Sequence, residues 1–160
     1  MSKLILNTLK FLSQIGFILL CFFGVQILLT SIINHNDYGG LGHMHNLIRD
    51  VFLIIDIALK AFLFYQIMTI FKKLDLAEPF SEEVGKFIFK ISYITFGIFI
   101  LKLAAYAHEN ILVKQGFESG MIYKYSESAQ THLLMAGILY LIGHIFKKGI
   151  ALKNENDLTV

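Results

Sequence analysis

Four long apolar runs dominate the sequence and restrict the folds open to it. They cover about residues 11–33, 47–71, 87–107 and 129–147. As a helix that rises ~1.5 Å per residue, each run is about long enough to cross a hydrocarbon core of ~30 Å. Only helices and closed barrels satisfy their backbone hydrogen bonds in lipid. We therefore expect an all-α transmembrane four-helix bundle, forming one integral-membrane domain over residues 1–160.

Composition and charge exclude several classes of protein. Hydrophobic residues make up 56% of the chain and charged residues only 16%, which is too apolar for a typical soluble domain. The net charge of +2 argues against direct nucleic-acid binding. Because Cys21 is the sole cysteine, an intrachain disulfide is impossible. A glycine-rich phosphate loop, a nucleophile elbow and a zinc-protease motif are all missing, so we expect a protein that is not an enzyme.

The basic residues outside the apolar runs indicate an orientation. The N-terminus, the connection between the second and third runs and the C-terminus together hold nine lysines: Lys3, Lys10, Lys72, Lys73, Lys86, Lys90, Lys147, Lys148 and Lys153. The other two connections hold three basic residues: Arg49, Lys114 and Lys124. The positive-inside rule then predicts that both termini lie in the cytoplasm.

The connection between the second and third runs carries the clearest local signals. It reads KKLDLAEPFSEEVGK, and Pro79 should end or divert a helix there. Ser81 suits an N-cap, followed by Glu82 and Glu83 in the first helical turn, where the helix dipole favours negative charge. We name residues 78–83 the elbow.

The limits of the fourth helix are less sharply marked. Ser126 or Ser128 suits its N-cap, and Gly149 suits its end. A polar cytoplasmic tail, residues 149–160, would then follow. The connection over residues 108–128 mixes apolar and polar side chains. Its pattern leaves open whether it lies on the bilayer surface or folds over the bundle.

Charged residues also occur inside the apolar runs. Asp56 and Lys60 are four residues apart on one helix face, while Lys102 and Gln26 lie at a similar predicted depth in other runs. Ionised groups within a bilayer are costly, so we expect this polar network to face the bundle interior. In one interpretation Asp56 neutralises Lys60 and Lys102 extends outward to the headgroups. In the other, Asp56 is the centre of a sensing, ion-binding or proton-accepting site.

Several histidines fall on the predicted outer side. Imidazole is a good ligand for zinc, nickel and copper, and His43, His45, His108 and His132 could form a site if the loops meet. Their spacing matches no zinc framework, however, and polar loops carry solvated histidines as a matter of course. We therefore predict no metal and no other cofactor, and retain the four histidines only as candidates.

Two segments of the chain resemble a known family. They are the sequences AEPFSEE and ENDLTV, which comprise Glu78, Pro79, Phe80, Ser81, Glu82 and Glu83, then Glu155, Asn156, Asp157, Leu158, Thr159 and Val160. With four spans and this length, the chain resembles the bacterial domain-of-unknown-function family 2975. The resemblance implies a location in the bacterial inner membrane. Because members are often encoded beside a small helix-turn-helix regulator, it also implies a transcriptional regulator as a partner.

Two functions are compatible with these features. The first is a regulatory or scaffold protein that docks a cytoplasmic factor on the elbow and on the last six residues of the tail, 155–160. The tail could instead fold back and cap its own bundle. The second is a small transporter or sensor that uses Asp56, Lys60 and Lys102. As an ion-coupled carrier with only four spans, it would need to form a homo-oligomer.

Overall fold

The structure, a computed structural model, is entirely helical over the parts of the chain that it describes, apart from short caps. It describes residues 2–34, 41–73, 81–116 and 122–157. Four helices fill these segments: α1 (Ser2–Asn34), α2 (Leu41–Lys73), α3 (Glu82–Lys114) and α4 (Ile122–Asp157). Each is long and apolar enough to cross a membrane. The predicted fold class, an all-α protein with four transmembrane helices, is confirmed.

The start of α3 matches the prediction from the sequence. Ser81 is the N-cap, with extended backbone angles of φ −108° and ψ 151°. Its hydroxyl oxygen accepts a hydrogen bond from the backbone N–H of Val84 at 3.4 Å, and Glu82 and Glu83 occupy the first turn. The cap satisfies an amide that would otherwise lack a partner at the helix start. Glu78, Pro79 and Phe80 lie outside the described residues.

The helices are longer than the apolar runs, which corrects two predicted boundaries. Because α4 begins at Ile122, Ser126 and Ser128 lie within the helix and do not cap it. It also continues through Gly149 to Asp157. Glycine costs only about 1 kcal/mol in a helix interior. The next residue, Ile150, lies against Gly85 of α3, and this packing favours continuation.

At the other end of the molecule, α3 extends to Lys114, so the first part of the predicted loop is helical. The helix ends where Gly116 adopts a φ of +87°, a left-handed conformation that suits glycine. The backbone N–H of Gln115 donates to the carbonyl of Leu112 at 3.0 Å, and that of Gly116 donates to Val113 at 3.0 Å. These bonds close the last turn of the helix.

The helices pack in chain order. Among the described residues, close packing joins α1 with α2, α2 with α3 and α3 with α4, and no other pair. The packing is most extensive between α3 and α4 and least extensive between α2 and α3. The bundle therefore consists of two helical hairpins, α1–α2 and α3–α4, joined along one seam.

Glycines bring the backbones close together within each hairpin. A Cβ built on Gly16 of α1 would lie 2.5 Å from the Phe64 ring of α2. One on Gly143 of α4 would lie 2.9 Å from the Phe89 ring of α3. Lipid removes the hydrophobic effect between helices, so small residues that allow close packing stabilise the contact. The Ser92 hydroxyl adds an interhelical hydrogen bond to the Ala136 carbonyl at 2.9 Å.

Most large apolar side chains point outward. Only six apolar residues are buried among the described ones: Ile70, Ile98, Ala105, Leu112, Ala129 and Ala136. Bulky residues such as Leu4, Phe11, Leu134 and Leu141 are more than half exposed. An outward apolar surface over the length of four helices is compatible with contact to lipid and unsuited to water.

Two glycines of α4 provide a matched test of this packing. We expect Gly143→Leu to destabilise the protein by about 1–3 kcal/mol, because the side chain must displace Phe89. Gly137 has no atom within 4 Å of its Cβ position, so Gly137→Leu should leave stability unchanged or slightly raised. Thermal unfolding in detergent, followed by circular dichroism, would measure both. Equal losses in the two variants would contradict the close α3–α4 contact.

Candidate functional site

A buried carboxylate lies on the seam between the two hairpins. Asp56 of α2 is 5% exposed. Its Oδ2 lies 2.8 Å from the Nζ of Lys60, one turn further along α2, and 2.9 Å from the Nζ of Lys102 on α3. One carboxylate oxygen thus accepts two ammonium groups, and the second of these contacts crosses the seam. We name Asp56, Lys60 and Lys102 the charge cluster.

Lys102 does not extend outward to the headgroups, although the Asp56–Lys60 pair of the same interpretation is present. Its side chain is only 9% exposed and faces Asp56. The reason is its place on α3, where the buried residues recur every three or four positions: Thr95, Ile98, Lys102, Ala105, Glu109 and Leu112. That stripe faces neighbouring helices, so the ammonium finds its nearest anion inside the protein. The Lys60 side chain, at 33% exposure, lies at the edge of the cluster.

The charge cluster is electrostatically asymmetric. Two cations share one oxygen of Asp56, and the other oxygen, Oδ1, is buried without a hydrogen bond among the described residues. The cluster thus has two basic side chains and one acidic side chain. Glu109, 4% exposed and two turns further along α3, brings a second buried acid to the same stripe. Buried charges are tolerated in a membrane when opposite charges lie nearby.

Gln26 does not join this network. Its neighbour on α1, Gly24, lies against Ile57, the residue after Asp56, so the predicted depth of Gln26 is close to that of the carboxylate. The Gln26 side chain is nevertheless exposed on α1. The prediction that Gln26 faces the bundle interior does not hold, because the apolar pattern of α1 does not mark its packed side.

Two of the four candidate histidines lie together. The rings of His45 on α2 and His108 on α3 are 5.7 Å apart, and Phe52 lies 6.0 Å from His108. Both ring nitrogens of His108 are buried and lack a hydrogen-bond partner within the described segments. This second polar layer, which also includes Glu109, lies between the charge cluster and the end of α3. His45 and His108 are both among the candidates named from the sequence, and the packing of α2 against α3 brings their rings into contact.

Within the described part of the chain, the candidate histidines do not come together as metal ligands. His132 lies on α4, where its Nδ1 is 2.6 Å from the carbonyl oxygen of Ser128 on the same helix. The His43 side chain is outside the described residues. Among the described ones, no group of three or more histidine, cysteine, aspartate or glutamate side chains is placed to hold a metal ion.

At the opposite end of the bundle, the start of α3 lies beside the last turns of α4. We name this region the elbow end. A Cβ on Gly85 would lie 3.4 Å from Ile150 Cδ1, and a cleft of about 470 Å³ opens beside them. Its lining includes Glu82, Lys86 and Asn154.

The predicted docking residues are divided between described and undescribed parts of the chain. Ser81 caps α3, and Glu155 and Asn156 are exposed near the end of α4. Asp157 is the last residue of the helix, with its side chain outside the described set. Leu158, Thr159 and Val160 lie beyond the described chain.

The comparison with known families is decisive over most of the sequence. The sequence model of the family described as "Protein of unknown function (DUF2975)" matches residues 15–160. The chain belongs to the DUF2975 family. No curated protein and no solved structure matches it. The match includes α2, α3 and α4 and most of α1, so the charge cluster and the elbow end of this DUF2975 protein both lie inside the family region.

The charge cluster makes a quantitative prediction about the seam. Removing one partner of a buried ion pair typically costs about 3–5 kcal/mol, so Asp56→Asn should strongly destabilise the bundle. Lys102→Met should also destabilise it. The loss of unfolding free energy in the double variant should be smaller than the sum of the two single losses, and the difference, the coupling energy, should exceed about 1 kcal/mol. The double-mutant cycle that combines Asp56→Asn with Lys60→Met is the control. It should give a smaller coupling energy, because the Lys60 side chain is more exposed.

Unfolding in mixed micelles would measure both cycles. If the Asp56–Lys102 coupling energy were below about 0.5 kcal/mol, the ion pair would not contribute to holding the seam.

Proposed function

We propose that this DUF2975 protein is a multi-pass protein of the bacterial inner membrane that docks a cytoplasmic factor at its elbow end. The observation that carries the proposal is the meeting of two segments distant in sequence. Ser81 begins α3, Glu155 lies near the end of α4, and the packing of Gly85 against Ile150 fixes the two helix ends side by side.

The helical tail supports this function. The last apolar run ends near residue 147, but α4 continues to Asp157. Ten residues of helix rise about 15 Å, enough to project the end of α4 beyond the hydrocarbon core. A rigid helix loses less entropy on binding than a flexible tail does, which favours a defined docking surface. It also reduces the part of the tail that can fold back over the bundle.

Charge supports the proposed partner. The elbow end presents both acidic and basic side chains on its surface. The exposed ones are Glu83 at the elbow and Lys148, Lys153 and Glu155 on α4. It lies on the lysine-rich side of the chain, which the positive-inside rule assigns to the cytoplasm. The partner suggested by the family resemblance is a small helix-turn-helix regulator. Mixed surface charges set partner choice and association rate more than they set raw affinity.

A charge reversal on the tail tests the docking. We expect Glu155→Lys to weaken binding of a small helix-turn-helix regulator of the kind that the family resemblance implies roughly tenfold, by placing an unmatched cation in the interface. Glu127→Lys is the matched control, because Glu127 is an exposed glutamate at the other end of α4. Co-sedimentation of the purified regulator with vesicles that contain the protein would measure both.

Binding of the regulator that is equal in the two variants, or no greater than to empty vesicles, would contradict docking at this end.

A second function, an ion-coupled transporter or sensor, is favoured by one observation. The Asp56 carboxylate is buried within the bilayer region, and its Oδ1 lacks a hydrogen bond among the described residues. Such a carboxylate is suited to accept a proton or a cation. The two lysines on Oδ2 oppose cation binding, however, and this is why we place docking first.

Proton flux would distinguish the two functions. A transporter should acidify reconstituted vesicles, with the flux lost in Asp56→Asn and kept in Ser92→Ala, which alters a buried polar group outside the charge cluster. A wild-type protein that moves no protons, or an Asp56→Asn variant that moves them normally, would contradict proton transport through Asp56.

A further inference from the structure

Two clefts follow one another along the α3–α4 hairpin, starting at the elbow end, and we name the two together the groove. It consists of the cleft of about 470 Å³ at the elbow end and a second cleft of about 260 Å³ beside it. Phe89 lines the first cleft and Tyr140 lines the second, and their rings are 5.6 Å apart in an edge-on contact. The residues of α3 that line the two clefts follow one another at helical spacing, so both clefts open along the same face.

The chemistry of the groove changes along its length in three steps. At the elbow end it is lined by Lys86, Lys147 and Asn154. The middle is aromatic, because His144 packs on both Phe89 and Tyr140, at 5.2 Å and 4.7 Å between ring centroids.

The far part of the groove is apolar, and Phe96, Leu133 and Gly137 line it. This order of a cation, an aromatic collar and a hydrocarbon surface matches the polarity of a phospholipid from headgroup to acyl chain.

The charges of the cleft favour an anionic ligand. Lys86 is paired with Glu82 at 2.8 Å, which compensates both groups. Lys147 forms no ion pair with a carboxylate of the described residues. It is also the first charged residue beyond the last apolar stretch of α4, the depth at which lipid phosphates lie. We propose that the groove binds one anionic phospholipid, with its phosphate at Lys147 and an acyl chain along Tyr140 toward Gly137.

Two pairs of residues provide matched variants. Lys147 lines the cleft and Lys148, the next residue, does not, so replacing either by glutamine removes the same charge from the same region. Gly137 lines the apolar part of the groove, whereas Gly97 on α3 lies outside its lining. Neither glycine has an atom within 4 Å of its Cβ position, so the first side-chain carbon of a leucine meets open space at both.

Native mass spectrometry of the full chain, extracted from vesicles of phosphatidylcholine with a minority of phosphatidylglycerol, would test the site. We expect one retained phosphatidylglycerol and weaker retention of phosphatidylcholine. Lys147→Gln should reduce phosphatidylglycerol retention roughly tenfold, the effect of losing one charge-assisted hydrogen bond. Gly137→Leu should reduce it by a similar factor. Lys148→Gln and Gly97→Leu should leave it unchanged.

Three results would overturn the proposal. The first is equal loss in Lys147→Gln and Lys148→Gln, which would show general attraction to a basic surface. The second is displacement of the lipid by soluble glycerol 3-phosphate, which would show a site for a free phosphoester. The third is retention unaffected by Gly137→Leu, which would show that no acyl chain uses the groove. The purified chain is tested without the regulator, so failure of the docking proposal would not affect this outcome.

Discussion

The ion pair between Asp56 and Lys102 holds together the least extensively packed seam of the protein. Within each hairpin, glycines let the backbones approach, and close packing stabilises the contact without a hydrophobic effect. The contact between α2 and α3 is less extensive, and buried opposite charges are the strongest interaction that the described residues provide across it. An ammonium that left this seam for hydrocarbon would lose its counter-ion, at a cost of several kcal/mol. The Asp56 carboxylate therefore links the two hairpins at their least extensive contact.

The seam makes α2 and α3 the two inner helices of the bundle. Among the described residues each of them packs against two others, whereas α1 packs only against α2 and α4 only against α3. Lys102 and Glu109 share the buried stripe of α3, and Ser81 and Lys86 mark its other end. A 33-residue helix is about 50 Å long, so α3 connects the charge cluster physically with the elbow end. A helix that reaches two sites transmits a change between them only if it has two alternative positions in the bundle. The structure shows one such position of α3.

Much of the fold could be predicted, because a bilayer imposes few choices on an apolar chain. Helix number followed from run length, and the Ser81 cap followed from a serine and two acids after a proline. The helix ends were harder, since Gly149 is a local signal that the packing of Ile150 on Gly85 overrides. The direction of Lys102 was also harder. Its depth followed from counting residues, but the face it shares with Ile98 and Ala105 depends on the partner helix.

The continuation of α4 past Gly149 has consequences for both proposed binding surfaces. If α4 ended at Gly149, its last turns could not lie beside the start of α3, and the cleft at the elbow end would lack one wall. Because the helix continues, Lys147 and Asn154 face the cleft, while Glu155 is exposed one residue further along. A lipid phosphate at Lys147 and a protein partner at Glu155 would then be about 12 Å apart along the helix axis, at ~1.5 Å per residue. The two proposed ligands would then approach the same end, one from the bilayer and one from water, without competing for the same side chains.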